Sequence, residues 1–197
     1  MYCSIGKANI IYVNYADDGD GAVVCTPYSW SGSASSWTCP INGDQFWGPG
    51  HVVGTIQTSS DTDPNLTLTS AINNDTSSAW TAYDVNVYMN NPFTLSAASV
   101  TLPAGWTLTY FQSPAVPVAS PPAPESYEAQ MVFTSGTPVA VNGELDFGYT
   151  ITFTGSTDYS FTQEMIPVPE PGTLGFLAAG ALLSGGFLAA RRRNRHS

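Results

Sequence analysis

Apolar residues recur at every second position through most of this chain, and no stretch outside its C-terminus shows the three-to-four spacing of an amphipathic helix. The clearest case is 143–154, where Leu145, Phe147, Tyr149, Ile151 and Phe153 fall on one side of an extended strand. In 80–89, Tyr83, Val85, Val87 and Met89 make one face, and Asp84, Asn86 and Tyr88 the other. Residues 66–72 alternate apolar and hydroxyl side chains in the same way. Further β-rich runs cover 9–15, 22–26, 51–58, 93–102, 105–112, 127–134 and 159–161. Clusters of Asp, Asn, Gly, Ser and Pro punctuate them at 17–21, 61–65, 73–78 and 90–92. This pattern predicts one all-β domain over 9–165, an antiparallel β-sandwich of jelly-roll or Ig-like type, with a barrel as the alternative. Residues 27–50 read as irregular, and the Pro-rich stretch 113–125 as an extended connection.

The pattern changes at the C-terminus. Residues 172–190 carry no charge and no proline. At about 1.5 Å per residue, such a helix comes close to the roughly 30 Å of hydrocarbon in a bilayer. Arg191, Arg192, Arg193 and Arg195 follow directly. Positive charge is retained on the cytoplasmic side, so a single-pass helix here has its C-terminus in the cytoplasm and the domain before it outside. Val168-Pro169-Glu170-Pro171 stands just ahead of the apolar run. Its prolines hold that stretch extended and keep it out of the helix.

These features, in this order, resemble the PEP-CTERM sorting signal of bacterial exported proteins. The resemblance is confined to about the last thirty residues, 166–197. It implies recognition by an exosortase, an integral membrane protease or transpeptidase, in a Gram-negative bacterium, with links to extracellular polysaccharide or biofilm. It implies a transient stay in the inner membrane, then the cell surface or the medium. It implies nothing about the task of the exported domain.

Charge supports an extracytoplasmic domain. The net charge is −10, and four of the five Lys and Arg residues lie in the tail. The remainder has Lys7 as its one Lys or Arg, which argues against nucleic acid as a partner. Residues 1–9 contain no apolar core of a signal peptide, so 1–8 is taken as the remnant of one whose start lies upstream.

Candidate chemistry is sparse. Cys25 and Cys39 are expected to pair in an oxidising compartment. Asp17, Asp18 and Asp20 have the oxygen density of a Ca²⁺ loop without the full spacing of an EF-hand, and they equally suit a plain turn; Asp61 and Asp63 form a similar pair. Trp30, Trp37 and Trp47 offer either a sugar-stacking platform or a small core beneath a loop. No cofactor is expected beyond such a Ca²⁺ ion. A Ser–His–Asp hydrolase could draw only on His51 outside the tail, and Gly-x-Ser-x-Gly is absent. The expectation is therefore a non-enzymatic surface protein, with a carbohydrate- or Ca²⁺-binding module as the alternative; a secreted hydrolase would need paired carboxylates in a cleft.

Overall fold

Alternation becomes architecture in two sheets whose apolar faces meet. The computed structural model describes residues 10–26, 29–33, 36–59, 64–118, 126–154 and 156–170. Its strands are β1 (Ile10–Asp17), β2 (Val23–Cys25), β3 (Ser31–Ser33), β4 (Ser36–Gln45), β5 (Gly50–Thr58) and β6 (Asn65–Asn74). They continue with β7 (Trp80–Met89), β8 (Phe93–Leu95), β9 (Trp106–Pro117), β10 (Tyr127–Val139), β11 (Glu144–Phe153) and β12 (Asp158–Pro169). One sheet runs β1-β5-β12-β7-β10-β9, and the other β2-β4-β6-β11-β8 with β3 added beside β4. The class is all-β and sandwich-like, as the alternation predicts.

The sheets share a single core. Tyr83 of one faces Phe147 of the other with ring centroids 5.7 Å apart, and Phe153 meets Tyr159 at 4.7 Å. Two glutamines sit in this apolar layer, and each takes a tyrosine proton across it. Tyr83 donates to Gln45 Oε1 and Tyr149 to Gln163 Oε1, both at 2.5 Å. Gln45 also donates to the carbonyls of Trp47 and Met165, so it ties the end of β4 to β12. Burial pushes both tyrosine hydroxyls well above their ordinary pKa.

Three expectations are corrected. Residues 36–45 are a ten-residue strand within the stretch expected to be irregular. Its inward positions, Cys39, Ile41, Gly43 and Gln45, include a glycine and a glutamine, so the alternation is not visible as apolar against polar. It also pairs in parallel with β6, in an otherwise antiparallel fold. The run 93–102 is not one strand: β8 ends at Leu95 and a short 3-10 helix covers Ala97–Ser99. The last strand is twelve residues long rather than three, and it carries the folded body past 165 to Pro169.

That last strand accommodates two prolines. β12 lies between β5 and β7, but β5 accompanies it only as far as the Met165–Gly50 pair. Pairing to β7 goes on through Pro167–Tyr83 and Val168–Ala82 to Pro169–Trp80. Glu170 then donates its N–H to the Ala79 carbonyl. Alternate residues of a strand direct their N–H groups to the same side. Pro167 and Pro169 therefore lack donors on the side where β5 has ended, which is where a strand tolerates proline.

Candidate functional site

The outer face of the larger sheet carries a polar row set by strand register. His51 of β5 stands opposite Glu164 of β12, Glu164 opposite Asn86 of β7, Asn86 opposite Gln130 of β10, and Gln130 opposite Gln112 of β9. At one end of the row the turn after β1 brings in Asp18. His51 Nδ1 lies 3.2 Å from Asp18 Oδ2, and Nε2 lies 3.4 Å from Glu164 Oε1. Glu164 Oε2 accepts from Asn86 Nδ2 at 2.8 Å and from the Tyr88 hydroxyl at 3.2 Å. Burial raises the Tyr88 hydroxyl pKa, and the charges of Glu164 and Glu128 raise it further.

The aspartate turn is built locally. Asp17 accepts from the amides of Gly19 and Cys25, Asp18 Oδ1 from the amide of Asp20, and Asp20 Oδ1 from that of Ala22. Gly19 and Gly21 supply the positive φ values, 82° and 83°, that the turn requires. Asp17 thus spends both oxygens on backbone. Among the described residues the metal-capable set is Asp18, Asp20 and His51, whose ligand atoms lie within 4.8 Å of one another. This differs from the expected trio, because His51 arrives from a strand that no local spacing reveals. Asp61 and Asp63 lie outside the described residues.

The cysteine pairing is also corrected. Register sets Cys25 opposite Gly43, four residues along β4 from Cys39. That is about 13 Å of strand, well beyond the roughly 7 Å limit for Cα atoms joined by a disulfide. Both are free thiols. Burial, with the Asp17 charge added for Cys25, pushes each up to about 12 from 9.0. Two outcomes are expected from this. Peptide mapping should find Cys25 and Cys39 poorly alkylated by iodoacetamide at about pH 8 until the chain is unfolded. Between about pH 9 and 12 the unfolded chain releases protons that the folded one keeps, so stability should fall as pH rises through that window.

The tryptophans do not form one platform. Trp30 and Trp37 meet at a tilt of 56° with ring centroids 4.9 Å apart, and lie half-buried against the core. Trp47 lies beyond the far end of β4, about 30 Å of strand from Trp37. It is exposed beside Gly21 of the aspartate turn. Of the expected sorting motif, Val168 and Pro169 end β12 and Glu170 follows it. Pro171, Arg191, Arg192, Arg193 and Arg195 lie outside the described residues, as does the apolar run 172–190. No helix among the described residues is long and apolar enough to cross a membrane.

A separate pocket of about 330 Å³ opens between the turn that leads into β9 and the turn that joins β10 to β11; Trp106, Glu144 and Asp146 line it with Pro103, Thr137 and Pro138. Trp106 is nearly buried, its Nε1 spent on the Thr137 carbonyl. Glu144 and Asp146 stand two residues apart on one face of β11 and are exposed. Sequence reasoning missed this pocket, because its walls come from two stretches, 103–106 and 137–146, that are separated in the chain.

No protein-family model matches the chain, and no curated protein matches it.

Proposed function

We propose that this chain is an exported, non-enzymatic surface or matrix protein. In this reading an exosortase takes it from the inner membrane by the signal at its C-terminus. The observation that carries the reading is the unbroken order of Val168-Pro169-Glu170-Pro171, an uncharged run and an arginine cluster. The geometry around Glu170 supports it. The folded body runs without a linker to the motif, so the run 172–190, as a single-pass helix, would hold the sandwich against the extracytoplasmic face of the inner membrane. Phe46 and Trp47 are exposed at this end of the molecule, and Gly48 packs against Pro167. Aromatic side chains suit the boundary between water and lipid. The finer fold assignment, Ig-like or jelly-roll, belongs to the same proposal.

The test is intact mass and location in a Gram-negative host that carries an exosortase. A mature form that lacks 172–190 and lies outside the inner membrane is expected. A full-length form retained in that membrane would refute the reading.

A second reading, a carbohydrate-binding module, draws on the pocket beside Trp106. Its two carboxylates stand about 7 Å apart along β11, within the range of glycosidase pairs. Both are exposed, whereas a general acid at neutral pH needs a secluded carboxyl; binding therefore fits the pocket better than hydrolysis. A glycan array probed with wild type and with Glu144→Gln checks it: sugar binding that the variant loses supports the second reading.

A further inference from the structure

We infer that His51, Asp18 and Asp20 form a binding site for a divalent first-row transition metal, with Glu164 as the carboxylate that orients the histidine.

The argument begins with the imidazole. A neutral histidine has one N–H and one lone pair. Both ring nitrogens of His51 face carboxylate oxygens, which only accept. If the proton sits on Nε2 and is given to Glu164, the Nδ1 lone pair points at Asp18 Oδ2, acceptor against acceptor. Either a second proton on the ring or a metal cation between the two atoms resolves the conflict, and the second nearby carboxylate favours the metal. Asp20 brings a second carboxylate within 4.8 Å of the ring and of Asp18. Asp18 and Asp20 each tie Oδ1 to a backbone amide, which aims the carboxylate and leaves Oδ2 for an ion.

A second, independent observation lies across the ring. Histidines that bind metals usually give their other N–H to a carboxylate that is itself held by hydrogen bonds. Glu164 is held in this way, and Asn86 holds it at a cost. Asn86 is only 6% exposed, and its Oδ1 finds no hydrogen-bond partner among the described residues. A buried polar atom left unpaired on an outer sheet face is unfavourable. The amide that carries it is aimed into the cluster, where its Nδ2 fixes Glu164. Tyr88 adds the second bond. This support explains the placement of His51 better than a surface ion pair would, since exposed pairs need no such backing.

Donor chemistry selects the metal class. One imidazole nitrogen with carboxylate oxygens suits Zn²⁺ and its neighbours, whereas Ca²⁺ takes six to eight oxygens and no nitrogen. Water would complete the shell on the solvent side, where Asp18 and Asp20 are exposed.

The experiment is calorimetric titration of the full chain in detergent micelles with Zn²⁺ and, separately, with Ca²⁺. Wild type is expected to show a Zn²⁺ site that His51→Gln weakens by about tenfold or more. Glu164→Gln should weaken it by about 10- to 100-fold, the usual cost of an outer-shell carboxylate. Asp158→Asn should leave it unchanged, because Asp158 lies six residues, about 20 Å, along β12 from Glu164. Circular dichroism of the metal-free variants checks that the sheets persist; His51 and Glu164 lie outside the core, so a folded protein is expected. Zn²⁺ affinity unaltered by His51→Gln, or Ca²⁺ bound as tightly as Zn²⁺, would overturn the assignment. These outcomes are independent of how the C-terminus is processed.

Discussion

Glu170→Ala should leave the full-length protein in the inner membrane while the β domain folds and melts as in wild type. The separation of the two effects makes the substitution informative. Glu170 meets the sheet through its backbone N–H, bonded to the Ala79 carbonyl, and alanine keeps that bond. Pro169 still pairs with Trp80, so the end of β12 stays in place. What is lost is the carboxylate between two prolines, the feature that an enzyme at the membrane surface can read. Fractionation and intact mass give the processing result, and thermal melting of the detergent-solubilised chain gives the folding result. The prediction is all-or-none: a variant that matures normally rules out the sorting role of the motif. A variant that melts earlier would instead assign Glu170 a structural role.

Trp80→Ala should cost about 3–5 kcal/mol of stability, the range for removing a large aromatic from a core. Trp80 is fully buried, its ring lies 5.2 Å from that of Tyr83, and its Nε1 donates to Thr76 Oγ1. The side chain cannot be removed without a cavity beside the Tyr83–Gln45 pair. Its backbone also pairs with Pro169, so the damage should reach the strand that leads into the motif. Urea unfolding followed by circular dichroism checks the magnitude. Limited proteolysis checks the place, with cutting expected to rise near 166–170. A change below about 1 kcal/mol would mean that the site collapses without a void.

The two substitutions act on one junction from opposite sides. Glu170→Ala should remove the proposed signal and spare the fold; Trp80→Ala should weaken the fold and spare that signal. If Trp80→Ala also slows processing, the enzyme needs the motif presented by an ordered sheet. If it speeds processing, the β12 pairing restrains access.

The aspartate turn shows how far local reading goes. Asp and Gly at 17–21 correctly foretell a turn, because the φ values and side chain-to-backbone bonds involve neighbours in sequence. They do not foretell which aspartate is free to act. That depends on His51, placed beside Asp18 by the pairing of β1 with β5, and on Glu164, placed by β12. The cysteines fail for the same reason: a gap of fourteen residues permits a bridge, and only the β2–β4 register forbids it. Trp37 and Trp47 look like one cluster because a chain gap counts residues, whereas β4 between them is straight and separates them.

The sequence by itself determined that the domain ahead of the C-terminal apolar run is all-β with one apolar layer, since a period of two is written residue by residue and survives any arrangement of strands. It also determined where most strands lie and that the folded part is acidic. It carries the ordered motif, apolar run and arginines on which the proposed export rests. Only the tertiary structure decided that 36–45 is a strand, that β12 extends into the motif, and that His51, Asp18, Asp20, Glu164 and Asn86 meet. The physical reason is that a strand is completed by partners far away in the chain. Proline at 167 and 169 breaks a strand with two neighbours and is tolerated where one neighbour has ended, and that ending belongs to β5, more than a hundred residues earlier.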